Sequence, residues 1–156
     1  MLRAFPDFIS GRPGAGLLVL RVLTGCAFMV HGFSKIQNAF SWMGAESWAP
    51  GWLQALAAGS EFFGGMALVL GLLTPLSAFL LACTMATAIL TVHAAHGQPW
   101  IGKNGSFELP MSYLGVCAMF LLTGPGRFSI DYLLFGKERS RVSSEKRARE
   151  TVGGWR

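Results

Sequence analysis

The chain has 156 residues, the size of one domain, and its 52% hydrophobic and 13% charged residues with a mean hydropathy of +0.45 exclude ordinary soluble usage and point to a membrane. The net charge of +5 does not mark a nucleic-acid binder, because seven Lys or Arg against three Glu from Lys137 onward carry +4 of it. A basic segment beside a membrane is explained by topology and anionic headgroups instead.

Residues 1–14 carry Arg3 and Arg12 with Phe5, Phe8 and Ile9 between turn formers, and fit a segment lying at the membrane surface. The first apolar run starts only after Pro13, is long enough to span, and lacks a small-residue cleavage site, so no removable signal peptide is expected. A spanning helix is predicted from Ala15 to about Ser34. Arg21, Thr24, Gly25, Phe28, His31, Gly32 and Lys35 fall within about one third of its circumference. Two basic groups and a histidine facing lipid would be prohibitive, so this face looks inward, with Lys35 near the boundary.

Residues 37–51 form a surface loop whose Phe40, Trp42 and Trp48 are interfacial anchors, a belt that Trp52 and Trp100 extend. The stretch Trp52 to Leu73 is a second span that carries Glu61. Its Ala57, Ser60, Gly64, Ala67 and Gly71 share one narrow arc, the small-residue face through which helices approach in lipid, with Glu61 at the edge of that arc. An intramembrane carboxylate needs a partner, a proton or water. Thr74-Pro75 turns the chain into a third span, Leu76 to about His96, with His93 and His96 on one face near its end. After the turn-rich stretch GQPWIGKNGS, Glu108 and Pro110 open a fourth run to Thr123, stopped by Gly124-Pro125-Gly126. At 1.5 Å per residue this run covers only about 24 Å, short for a span. Residues 128–135 read as an amphipathic surface segment. Cys26, Cys83 and Cys117 lie in apolar runs with no CxxC spacing; they read as core residues and support neither a zinc site nor a redox dithiol.

The fold class is therefore an all-α membrane protein: a four-transmembrane-helix bundle with a short interfacial helix after the fourth span. It divides into an interfacial segment (1–14), a transmembrane domain (15–135) and a basic tail (136–156). The Lys and Arg excess of the N-terminal segment and tail puts both termini in the cytoplasm, with the two larger loops outside.

Taken together, R-x-x-x-G at Arg21–Gly25, HGFSK at His31–Lys35, EFFGG at Glu61–Gly65, GLLTP at Gly71–Pro75, Glu108 opening the fourth helix, and GPGRFSIDYLL at Gly124–Leu134 resemble the DoxX family of small four-helix bacterial membrane proteins. The resemblance covers about residues 15–135. It implies a bacterial inner-membrane location and places Arg21, His31, Lys35, Glu61, Glu108, Ser129 and Asp131 at motif positions. Family relatives include subunits associated with thiosulfate:quinone oxidoreductase, membrane partners of detoxifying enzymes, and proteins of natural-product or metal-handling gene clusters.

Three functions follow. The first is a membrane subunit of an oxidoreductase system that handles a quinone between its helices. It needs a protein partner to bring the redox centre, because the chain has no CxxCH, no Gly-rich dinucleotide fingerprint and no iron–sulfur spacing. The second is a binding or transport protein for a small solute or a metal ion, with His31, His93 and His96 as the metal candidates. The third is a scaffold that recruits another protein, or a second copy, through its lipid-facing sides or its tail. The site expected from depth along the helices gathers His31, Lys35, His93 and Glu108 at the outer end of the bundle, with Glu61 as its floor. A structural network sealing the bundle top would use the same residues. Arg21, Arg127, Ser129 and Asp131 are expected to be structural. Arg21 has either Glu61 or the Ser129–Asp131 region as its partner.

Overall fold

A computed structural model describes residues 8–44, 46–102 and 105–136; the first seven residues and the basic tail from Lys137 lie outside the described residues. The chain forms helices α1 (Gly11–Ile36), α2 (Gly51–Leu70), α3 (Thr74–Ala88, continued by a π-helical turn at Ile89–Ala94) and α4 (Glu108–Thr123), then a short helix α5 at residues 130–136. Among the described residues there is no strand. Three of these helices, with α3 counted through Ala94, are long and apolar enough to cross a membrane, and α4 is a shorter apolar helix of 16 residues. The protein is a helical membrane bundle in which α1 packs on α2, α2 on α3 and α3 on α4.

Burial agrees with a lipid surround. Arg21 and Glu61 are buried, whereas Leu23, Val30, Phe33, Phe63, Leu90 and Leu122 stand exposed on the outer faces of the helices. The buried centre holds Leu17 and Phe28 of α1, Leu68 of α2, Leu81 and Met85 of α3, and Cys117 and Phe120 of α4. A tilted ring contact between Phe28 and Tyr113, with centroids 4.8 Å apart, joins α1 to α4.

The helix ends differ from the sequence reading for local reasons. The first helix begins at Gly11 rather than Ala15, because Pro13 falls in the first turn, where its missing amide would have no partner. The second stops at Leu70 rather than Leu73. Gly71 takes the left-handed conformation (φ 66°), and two bonds, Gly71 N–H to Leu68 C=O at 3.1 Å and Leu72 N–H to Ala67 C=O at 2.9 Å, close a Schellman cap.

The buried arc of α2 is also broader than expected. Gln54, Ala58, Ser60, Glu61, Gly64, Gly65 and Leu68 are buried, and at 100° per residue they lie within about 100° on either side of Glu61. Glu61 thus occupies the middle of the arc, not its edge. The cause is the sandwiched position of α2. One flank meets α1 so closely that a Cβ on Gly25 would lie 2.6 Å from the Gly65 carbonyl oxygen, and one on Gly65 2.7 Å from that of Gly25. The other flank meets α3 through the Ser60–Thr84 hydroxyl pair at 2.7 Å.

A polar clasp closes the bundle end that carries the 71–73 turn. Asp131 accepts the amides of Leu73 (2.7 Å) and Thr74 (2.9 Å), which are orphan donors at the start of α3, and its own amide bonds the Gly71 carbonyl at 2.9 Å. Ser129 Oγ donates to Gly126 C=O at 2.7 Å and accepts the Tyr132 amide at 3.1 Å, capping α5. Arg127 is exposed and stacks on the Tyr132 ring at 5.3 Å, while its amide bonds the Ile9 carbonyl at 2.9 Å. The fully buried Arg21 donates from Nη2 to the carbonyl of Phe128, and the Asp131 charge acts on the same guanidinium. Of its two alternatives, Arg21 therefore takes the α5 side and leaves Glu61 to another cation.

Candidate functional site

That cation is Lys35. Its Nζ donates to both carboxylate oxygens of Glu61, at 2.6 and 2.7 Å. Glu61 is 2% exposed and the Lys35 side chain 26%, so the pair is a buried anion closed by a partly wetted cation. The bridge runs between the last turn of α1 and the middle of α2. It forms because Gly32 lets the α2 backbone approach: a Cβ there would lie 2.5 Å from the Phe62 nitrogen. The Lys35 ammonium also lies 4.6 Å from the centre of the Trp42 ring, which lends a cation–π contact.

Two cavities meet at this ion pair. The first, of about 160 Å³, lies between α2, α3 and the 37–50 loop; Trp42 and Trp48 line it with Leu53, Leu80, Ser60 and Thr84, and Leu56 and Cys83 on its wall are exposed. We call it the tryptophan cavity. The second, of about 150 Å³, lies between α1, α3 and α4 and is lined by Phe28, His31, His93, Pro110 and Tyr113; we call it the histidine cavity. Lys35, Glu61 and Ala88 border both. The partition is thus one salt bridge and one methyl group.

The π-helical turn is what lets α3 serve both spaces. Five residues of ordinary α-helix would carry His93 about 140° around the axis from Ala88, whereas i→i+5 spacing returns it to the same side. Thr91 and Val92 of that turn line the tryptophan cavity while His93 lines the histidine cavity. His93 Nδ1 is 2.6 Å from Gln98 Oε1, which fixes the ring to the 97–107 loop. Gln54, 4% exposed, does the same for the other loop. It takes the Met43 amide on Oε1 (3.0 Å), gives Nε2 to the Ala49 carbonyl (2.8 Å), and its own carbonyl accepts Trp42 Nε1 (2.9 Å).

Of the residues expected at the site, His31, Lys35, Glu61 and His93 border one cavity; Glu108 is exposed at the start of α4 and does not line it. His96 is exposed and bonds the Val92 carbonyl through Nδ1. Among the described residues no three His, Cys, Asp or Glu come close enough to hold a metal ion. The tryptophan cavity, Gln54 and the Ser60–Thr84 pair escaped the sequence reading. Gln54 did leave a signal, a lone amide in an otherwise apolar helix start.

Residues 16–94 match the DoxX family. The chain is 32% identical over 133 residues to the protein named "Putative oxidoreductase CatD" of Bacillus subtilis (strain 168), covering 83% of this chain and 95% of that one. It is 31% identical over 125 residues to "Inner membrane protein YqjF" of Escherichia coli (strain K12), covering 76% of this chain and 92% of the relative. A Haemophilus influenzae protein named only "Uncharacterized protein" is 31% identical over 123 residues, with 78% and 92% covered. No solved structure matches the chain.

Proposed function

We propose that this chain, which belongs to the DoxX family of membrane proteins, is the quinone-binding membrane subunit of an oxidoreductase system. It lies in the bacterial inner membrane with both termini in the cytoplasm. The carrying observation is a buried carboxylate bonded through both oxygens to one ammonium, on the wall of an apolar cavity of about 160 Å³ with two indole rings. An apolar cavity of about 150 Å³ takes a benzene-sized ring. The ring of a quinone fits that volume and brings the polar oxygen that Lys35 and Glu61 can serve. Ubiquinone-type tails are accommodated by leaving toward lipid on the side of exposed Leu56 and Cys83. The oxidoreductase name of the Bacillus subtilis relative adds support of a weaker kind.

The residues would divide the work by chemistry. Lys35 donates to a carbonyl or phenolate oxygen, Glu61 accepts a phenolic proton, and Trp42 with Trp48 stacks on the ring and keeps bulk water from it. A bound quinone supplies the two-electron, two-proton couple. Because the sequence has no haem-attachment, dinucleotide or iron–sulfur motif, the electrons pass to a redox centre carried by a partner protein.

The test is binding of ubiquinone-1 to the purified full-length protein in lipid nanodiscs, followed by quenching of tryptophan fluorescence. Saturable quenching is expected, weakened at least tenfold by Lys35→Met and abolished by Ala57→Phe, which fills the cavity. Quenching that rises linearly with concentration and is the same in all three proteins would remove the quinone from this account.

A further inference from the structure

The tryptophan cavity accounts for one side of the ion pair; the histidine cavity on the other side has no part in holding a ring. Its lining joins apolar Phe28, Met85, Leu109 and Pro110 to polar His31, His93 and Tyr113. At about 30 Å³ per water, its volume of about 150 Å³ admits roughly five waters. His31 is exposed, and His93 is tied to Gln98 in the 97–107 loop, so the cavity leads from the membrane interior to the end of the bundle that carries the two longer loops.

We propose that the histidine cavity is a water-filled proton passage from that surface to Glu61, lined by His31 and His93. The inference rests on the reading above that a ligand meets Glu61 from the tryptophan cavity, and it assigns the opposite side to protons. A bulk proton enters at His93 or His31, crosses the cavity water and bonds to a Glu61 carboxylate oxygen; Glu61 releases it by the same route. No electron moves in this step. Histidine is suited to it, because an imidazole carries two ring nitrogens, one able to accept a proton while the other donates one. The ion pair is the valve. While Lys35 Nζ holds both oxygens, neither is open to the cavity water; a ligand oxygen that draws Lys35 away leaves the carboxylate free to take a proton from behind. Among the described residues, the ionisable groups that line a cavity with Glu61 are Lys35 and His31 from α1, His93 from the π-helical turn, Tyr113 from α4 and, on the tryptophan side, Cys83 from α3; Glu108 is exposed at the start of α4.

The passage can be measured without any ligand. In Lys35→Met, Glu61 loses its cation and becomes a carboxylic acid, whose C=O stretching band appears in the infrared spectrum and disappears in Lys35→Met/Glu61→Gln. On transfer of full-length protein in nanodiscs to D2O, the downshift of that band times the arrival of solvent deuterons. Fast exchange is expected in Lys35→Met, and at least tenfold slower exchange when His31→Phe and His93→Phe are added. Leu109→Trp fills the same cavity from α4 and should also slow exchange, which keeps the test open should the double histidine variant not fold. An exchange rate left unchanged by both sets of substitutions, or the absence of any C=O band assignable to Glu61, would overturn the passage. Failure of ubiquinone-1 to bind would overturn the quinone reading while leaving the infrared result to stand or fall by itself.

Discussion

Separating Lys35 from Glu61 is the most informative perturbation, because the bridge is at once the partition between two cavities and a compensated charge inside the membrane bundle. Breaking a buried pair by removing one partner costs about 3–5 kcal/mol, since the other charge is left without compensation. Glu61 is 2% exposed but the Lys35 side chain 26%, so water already offsets part of the cation's desolvation, and the lower end of that range applies. Lys35→Met should therefore destabilise by about 3 kcal/mol, moderated because the stranded carboxyl can take a proton. Glu61→Gln should cost less, about 1–2 kcal/mol, because the partly exposed ammonium can turn to water and to the Trp42 ring. The double variant buries no charge and should be no worse than Lys35→Met alone, leaving a coupling of about 1–2 kcal/mol. Reversible unfolding in mixed micelles of increasing SDS fraction, read by helicity and tryptophan fluorescence, gives all three values. Effects that add within about 0.5 kcal/mol would mean that the two side chains do not interact, and the single site wall would fall with them.

Four further outcomes follow from other contacts. Asp131→Ala should lower stability by about 2–4 kcal/mol in the same assay, since it uncaps two amides of α3 and removes the negative charge that acts on the buried Arg21; Asp131→Asn, which keeps one acceptor but no charge, should cost less, and equal losses would deny the capping role and leave the whole effect to charge. Gly71→Ala should cost more than 2 kcal/mol, because it adds a left-handed penalty to a Cβ placed 1.8 Å from Arg21 Nη1, whereas Leu73→Gly should stabilise by up to about 1 kcal/mol by relieving a left-handed leucine (φ 47°). Gly25→Val, with its Cβ 2.6 Å from the Gly65 carbonyl, should separate α1 from α2 and lower the melting temperature far more than Gly16→Val, whose Cβ meets nothing within 4 Å. In a variant lacking the native cysteines, Ala45→Cys should be labelled by an impermeant reagent from outside the cell and Glu145→Cys should not; the reverse pattern would invert the proposed topology.

Composition and periodicity were enough to determine that this chain is a helical membrane protein, and the ordered motifs from Arg21 to Leu134 were enough to place it in its family. Both follow from rules local in sequence: apolar length sets a span, and polar residues at helical spacing set a face. The inward face of α1 was legible for the same reason, through Arg21, Thr24, Gly25, Phe28 and Gly32. Partner choice was not legible. Depth along the helix axes left Arg21 between Glu61 and Asp131, and the choice depended on α5 folding back under the 71–73 turn, which brings the Phe128 carbonyl to Arg21 across 107 positions of sequence. Glu108 was expected at the depth of His31 and His93, yet α4 presents Leu109, Pro110 and Tyr113 to the cavity in its place. Only the tertiary structure decides which face is presented, because it is set by which side chains interlock across neighbouring helices. A π-helical turn then shifts the register once more and brings His93 behind Glu61, which a fixed period of 3.6 residues could not foresee.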